Sequence, residues 1–213
     1  MTRVVVPGPR DVRATLDEPA TDEGWTAGSD GDTDRCVVAC PPHPQHGGSR
    51  SDRRLRAVSA ALTGRGVACL RIDYGSWDEG TGERADAARA LDWAGKRYDA
   101  VGPFGYSFGG AVALLVAAER ADLRAVAALA PAPGLPNGAD AAGALGRVEA
   151  PTLVVCGERD DTVDCERVAT AARAAGKTVE RLPADHHFVG GTDAVADTVG
   201  PFLAEHTSPA GPE

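Results

Sequence analysis

Lysine is almost missing from this chain. Of its 22 basic residues only Lys96 and Lys177 are lysines, set against 31 acidic residues and a net charge of −9. Holding a phosphate backbone needs a basic face, so this balance argues against nucleic acid as a partner. No apolar run approaches the ~20 residues of a membrane helix. Met1 to Arg13 also lacks the basic start and apolar core of a secretory signal. A cytoplasmic chain with no membrane partner is therefore expected. The cysteines Cys36, Cys40, Cys69, Cys156 and Cys165 are odd in number, and none forms a Cys-x-x-Cys pair. They read as small buried hydrophobes in a reducing compartment. Gly105-x-x-x-Gly109 lacks the lysine and the spacing of a phosphate loop. His43 and His46 have no carboxylate or cysteine beside them, which makes a poor metal site. There is no internal repeat. An acidic, lysine-poor, alanine-rich chain is similar to those of salt-adapted or GC-rich organisms, and salt would screen its self-repulsion.

What is present is a regular alternation. Apolar runs of strand length are followed by longer helical patterns, which implies a mostly parallel, doubly wound sheet with helices on both faces. Strands are expected at residues 3–6, 11–16, 36–40, 67–72, 100–106, 125–130, 152–156 and 178–182. Pro7, Gly8 and Pro9 punctuate the first two, and residues 17–35, rich in Asp, Thr and Gly, read as an exposed connection. A helix capped by Ser51 or Asp52 buries Leu55, Val58 and Leu62 before Gly64 and Gly66 end it. Further helices are expected over 83–94, from Ser107 onward, over 163–175 and over 193–204. Glu83 and Asp86 are read as favourable charges in a helix's first turn. Trp25, Trp77 and Trp93 are read as packing or pocket-wall residues. The length suits one domain, 1–206, with residues 207–213 as a flexible tail.

Gly105-Tyr106-Ser107-Phe108-Gly109 fits Gly-x-Ser-x-Gly. Alone it is a weak signal, but here it follows a strand pattern and opens a helical one, the context in which such a serine becomes a nucleophile. The turn holds the serine in strained backbone, and side chains at 105 and 109 would strike neighbouring backbone. The helix N-terminus behind it favours an anion forming at Ser107. A serine hydroxyl needs a base. In this architecture the acid and the histidine follow the serine, in that order. Asp160 or Asp161 lies after the strand at 152–156, and His186 or His187 lies after 178–182. Loops at the carboxyl ends of parallel strands face one edge of the sheet, so these residues can meet.

On these motifs the chain resembles the α/β-hydrolase superfamily, and within it the small, lidless, dienelactone-hydrolase-like group. Pro41-Pro42-His43-Pro44-Gln45-His46-Gly47-Gly48 is similar to that group's His-Pro-His-Pro and Gly-Gly segment, with Pro41 replacing the first histidine. Arg71-Ile72-Asp73-Tyr74-Gly75 lies near its next conserved segment, with Gly75 where arginine is usual. Gly82-Glu83-x-x-Asp86-Ala87, Gly157-x-x-Asp160 and Asp185-His186 extend the match over residues 36–204. The resemblance favours Asp160 as the acid and His186 as the base. Asp185 is read as a turn or cap residue. The oxyanion hole takes one backbone N–H from Phe108. The loop after residue 40 offers His43 or Gln45 as the second donor, since proline has no N–H, and the resemblance points to His43.

The expected activity is hydrolysis of a small carboxylic ester or related acyl substrate through an acyl-enzyme, with no metal or organic cofactor. A thioesterase or acyltransferase would use the same three residues. A non-catalytic binding protein that kept the fold is the rival of another class. Larger relatives insert a lid between the strand at 125–130 and that at 152–156. This chain has only a short Pro/Gly/Ala segment there, so an open site is expected.

Overall fold

The computed structural model describes residues 1–20 and 33–208. Strands β1 (Thr2–Val6) and β2 (Val12–Asp17) form a hairpin that pairs antiparallel with β4 (Ala68–Asp73). From there the sheet is parallel: β3 (Arg35–Cys40), β5 (Ala100–Tyr106), β6 (Val126–Leu129), β7 (Thr152–Gly157) and β8 (Thr178–Leu182). The spatial order is β1-β2-β4-β3-β5-β6-β7-β8.

The period of two along each strand feeds both faces of the sheet. In β3, Cys36, Val38 and Cys40 pack into one core, while Val37 and Ala39 enter the other. The first core is covered by α2 (Thr81–Gly95), α3 (Phe108–Ala117), α4 (Ala141–Ala144) and α5 (Cys165–Ala174). The second is covered by α1 (Arg53–Thr63) and α6 (Thr192–His206). Leu55, Val58 and Leu62 lie on the buried side of α1, as their spacing predicts, and Asp52 caps it by accepting the N–H of Arg54. Every residue of α3 is buried.

The eight expected strands are present within about two residues of their expected ends. Two things differ. Residues 141–147 form α4 and a 3-10 turn (Leu145–Arg147), and Pro44–His46 forms another 3-10 turn. Short turns of this kind carry no periodicity for a sequence to display. Trp25 and most of the expected 17–35 connection lie outside the described residues, as do residues 209–213. Thr207 is buried, its hydroxyl donating to the Leu203 carbonyl.

Register places the site. The chain leaves β3 toward β4 on one side and returns to β5 on the other, so a crevice opens at the carboxyl ends of β3 and β5. Cys40 lies opposite Gly105, which brings the loop after Cys40 beside Ser107. Gly157 pairs with Leu182 at the ends of β7 and β8, so the loops that follow them leave side by side. Between β6 and β7 only α4 and the 3-10 turn intervene, and among the described residues no lid domain covers this edge.

Candidate active site

Ser107 is the residue between β5 and α3, with φ 56° and ψ −116°. A non-glycine residue in that region is strained, and such strain persists only where its surroundings over-determine it. Here Ser107 N–H donates to the Leu129 carbonyl (2.8 Å). A Cβ on Gly105 would lie inside contact distance of the Gly109 carbonyl oxygen, and one on Gly109 would strike the carbonyls of Cys40 and Pro41. The two glycines thus let β5, α3 and the loop after β3 close on one another.

Asp160 sits in the loop after β7, and His186 in the loop after β8. Nδ1 of His186 lies 2.8 Å from Oδ2 of Asp160, and Nε2 lies 3.1 Å from Oγ of Ser107. The side chains of His186 and Asp160 are only 5% and 2% exposed, so water hardly competes for this contact. The other carboxylate oxygen of Asp160 accepts the N–H groups of Thr162 (3.0 Å) and Val163 (3.2 Å). Ser107, His186 and Asp160, expected to meet, are in one hydrogen-bonded row. His187 is exposed and Asp161 is exposed, and neither is in that row. Asp185 makes a turn, its carbonyl accepting the Phe188 N–H (3.3 Å).

His43 and Phe108 lie at the same mouth, with ring centroids 5.1 Å apart. Trp77 packs on both, 4.5 Å from His43 and 5.6 Å from Phe108. His46 stacks on the other side of His43 at 4.4 Å. Burial, and then the neighbouring His46, hold the His43 imidazole below the usual histidine range, which favours its neutral form at pH 7. Gln45, the other expected donor, is exposed. Around Ser107 a cleft of about 620 Å³ is lined by His43, Arg54, Tyr106, Leu135, Pro136 and Val163. Among the described residues no group of three or more His, Cys, Asp or Glu is placed to hold a metal ion.

Two sequence readings are corrected. Glu83 stands in the first turn of α2, as expected, but Asp86 lies a turn further along, and neither is simply a helix-dipole charge. Both carboxylates are wholly buried. Glu83 accepts the N–H groups of Asp78 and Gly80, and Asp86 accepts that of Gly75 and hydrogen bonds from Arg10 and Arg89. They pin the 74–80 loop that carries Trp77. Arg10 and Arg89 supply the charge that buried carboxylates need; Arg89 is three residues after Asp86 on the same helix, whereas Arg10 comes from a distant part of the chain. The cysteines are the second correction. Cys36, Cys40 and Cys69 are free and buried, but Cys156 and Cys165 form a disulfide. The end of β7 and the start of α5 bring their Cα atoms to 6.0 Å, within bridging range. The bond closes the loop that bears Asp160, Thr162 and Val163.

Sequence reasoning also passed over Arg54 and Tyr106. Tyr106 was visible only as the variable residue of Gly-x-Ser-x-Gly, and Arg54 as one arginine among many. No local pattern marks either.

Solved structures share this fold. A Xanthomonas campestris protein described as an α/β serine hydrolase without a lid superposes with a TM-score of 0.81 at 22% identity, over 99% of this chain and 96% of that one. A dienelactone hydrolase from Anabaena variabilis superposes with a TM-score of 0.75 at 25% identity, over 97% and 98%. A Mycobacterium tuberculosis protein whose name proposes a phosphoribosyl transferase is 37% identical over 132 residues. Those residues make up 55% of this chain but only 28% of that longer protein. The family model of dienelactone hydrolases matches residues 76–196, more than half of the chain. Together with the eight-stranded sheet, this match places the chain in the dienelactone hydrolase family.

Proposed function

We propose that the protein is a serine hydrolase that cleaves a small carboxylic ester or related acyl substrate through an acyl-enzyme. The observation that carries this reading is the row Ser107–His186–Asp160, at 3.1 Å and 2.8 Å, opening on an uncovered cleft. In this mechanism Ser107 Oγ attacks the substrate carbonyl while His186 Nε2 takes its proton. Asp160 holds the imidazole by its Nδ1–H and stabilises the cation. The backbone N–H groups of Phe108 and His43 receive the oxyanion, and one such donor is typically worth about 3 kcal/mol. His186 then returns its proton to the leaving alcohol. Water attacks the acyl-enzyme in a second cycle of the same proton transfers, releasing the acid. Phe108 opens α3, where the first N–H groups have no intrahelical partner. The loop of His43 is stiffened by Pro41, Pro42 and Pro44 and is held by the Tyr74 hydroxyl donating to the Pro41 carbonyl (3.3 Å).

The chemistry requires no metal or organic cofactor. The partner is a small acyl molecule, and the net charge of −9 gives no support to nucleic acid. The test is labelling with a fluorophosphonate, mass-spectrometric location of the adduct, and an ester chain-length series. Wild-type protein should carry the adduct on Ser107, and Ser107→Ala should lose both labelling and ester hydrolysis. Ester hydrolysis at wild-type rate by Ser107→Ala ends the reading.

A further inference from the structure

Two carbonyl groups in the loop that carries His186 are held from outside that loop, by two side chains that also touch each other. We infer that Arg54 and Tyr106 are positioning residues: as a stacked pair they hold the successive carbonyls of His187 and His186, and so set the reach of the imidazole to Ser107. This rests on the reading of His186 as the base.

The hydroxyl of Tyr106 donates to the His186 carbonyl at 3.1 Å. Nη1 of Arg54 donates to the next carbonyl, that of His187, at 2.8 Å. The guanidinium lies over the Tyr106 ring, 4.0 Å from its centroid. A cation on an aromatic face is attracted by the ring quadrupole, most strongly when both are shielded from water. Tyr106 is 2% exposed and Arg54 is 9% exposed. Burial, only partly offset by the Arg54 charge, pushes the phenol up to about 12, so it remains a donor at neutral pH.

Apart from one contact of Arg53, the remaining ties of this loop do not reach these two carbonyls. Ala184 N–H bonds to the Leu182 carbonyl and Phe188 N–H to that of Asp185, both within the segment. Arg159 N–H reaches the Ala184 carbonyl, two residues short of His186. Arg53 also donates to the His187 carbonyl (3.0 Å), but from an exposed position. Water competes for a contact there. The clamp is thus the buried anchor of the two successive peptides that follow His186.

Arg54 lines the cleft, and a lone cation there would read as a receptor for an anionic substrate. Asp52 removes that reading. It takes Arg54 Nε at 2.9 Å and Nη2 in a shorter contact, so two donors of the guanidinium are engaged by a carboxylate and a third by the His187 carbonyl. Asp52 is also the N-cap of α1. One carboxylate therefore ties the entry of α1, the cation and the base loop together. Tyr106 stands immediately before Ser107 in the chain. The nucleophile and the base are in this way referenced to one pair of side chains.

The experiment compares Tyr106→Phe, Arg54→Met, Arg54→Lys and the Tyr106→Phe/Arg54→Met double variant with wild type. It measures kcat and KM on a short ester, the rate at which a small fluorophosphonate labels Ser107, and the thermal midpoint. Displacements near 1 Å at a reacting group cost up to about 100-fold in rate, so kcat should fall roughly 10-fold in Tyr106→Phe and roughly 30- to 100-fold in Arg54→Met, with KM within about 2-fold. Labelling should slow in proportion. Arg54→Lys should recover part of the loss, since an ammonium can reach a carbonyl but cannot form the planar fork. The double variant should lose much less than the product of the single losses, because the two groups touch each other and hold adjacent peptides of one loop. If Arg54→Met does not fold, Tyr106→Phe, which removes one hydroxyl, decides alone. Wild-type kcat in folded variants, or a loss confined to KM, overturns the proposal while leaving the serine-hydrolase reading intact. Failure of the wild-type protein itself to be labelled overturns both.

Discussion

Asp160 uses both of its carboxylate oxygens. One faces His186 Nδ1 at 2.8 Å, and the other is fixed by two N–H groups of its own loop. In the proposed mechanism an acceptor held in this way selects the tautomer that keeps Nε2 free to take a proton from Ser107. Asparagine at this position would keep the shape but present an amide, which can hold the imidazole in the wrong tautomer. Asp160→Asn should fold normally and lose about 10⁴-fold in kcat, whereas Asp161→Asn should stay near wild type because that carboxylate points to solvent. Steady-state kinetics of the two variants checks this, and an equal loss in both would remove Asp160 from its role. The choice between Asp160 and Asp161 was open in the residues alone, because adjacent carboxylates differ only in direction. The same holds for His186 and His187, whose exposures in the folded chain diverge completely.

Among the elements, the disulfide does what no single side chain does. It joins the last turns of β7 to the first turn of α5 and leaves the Asp160 loop as a closed ring of nine-residue separation. Closing a loop near this size removes denatured-state freedom worth up to about 3 kcal/mol in the chain-entropy account. The Cys156→Ser/Cys165→Ser variant should therefore melt roughly 6–12 °C lower if the whole of that contribution is realised. Calorimetry of the variant beside wild type measures the shift, and an unchanged midpoint would show that the loop's own hydrogen bonds suffice. In the sequence Cys156 ends an apolar run and Cys165 stands between Asp164 and Glu166, with no signature spacing, since nothing local tells that a strand end and a helix start will be 6.0 Å apart. The element order, by contrast, was legible. Period-two runs for the strands and the Leu55/Val58/Leu62 stripe for α1 are local patterns, and burial on one face is what produces them.

At the scale of the molecule, charge is the outstanding feature. A net charge of −9 with almost no lysine makes the chain acidic, and about half of its arginines are committed to ion pairs, as in Arg120 with Asp92 and Asp122. Excess like charge opposes compaction, and about 1 M salt shortens the screening length to ~3 Å. The thermal midpoint should accordingly rise between low salt and about 1 M sodium chloride. A flat or falling midpoint would mean that screening of the ion pairs outweighs relief of repulsion, and the idea of salt adaptation would be lost. The edge that carries the site is open at this scale as well. α4 and a 3-10 turn stand between β6 and β7, so on the proposed reading a long acyl chain would have little protein to lie against.

Composition, periodicity and the order of a few motifs determined the class of fold, the sequence of strands and helices, and the serine, the pair of acids and the pair of histidines from which a site could be made. Those are local or ordinal properties, and a parallel sheet converts strand order into a shared edge. Only the tertiary structure decided which of two neighbouring acids and histidines turns inward, that Cys156 finds Cys165, that Glu83 and Asp86 are buried with Arg10, and that Arg54 lies on Tyr106. Each of those depends on where distant segments bring a partner within a few ångströms, and that distance is a property of the packed chain.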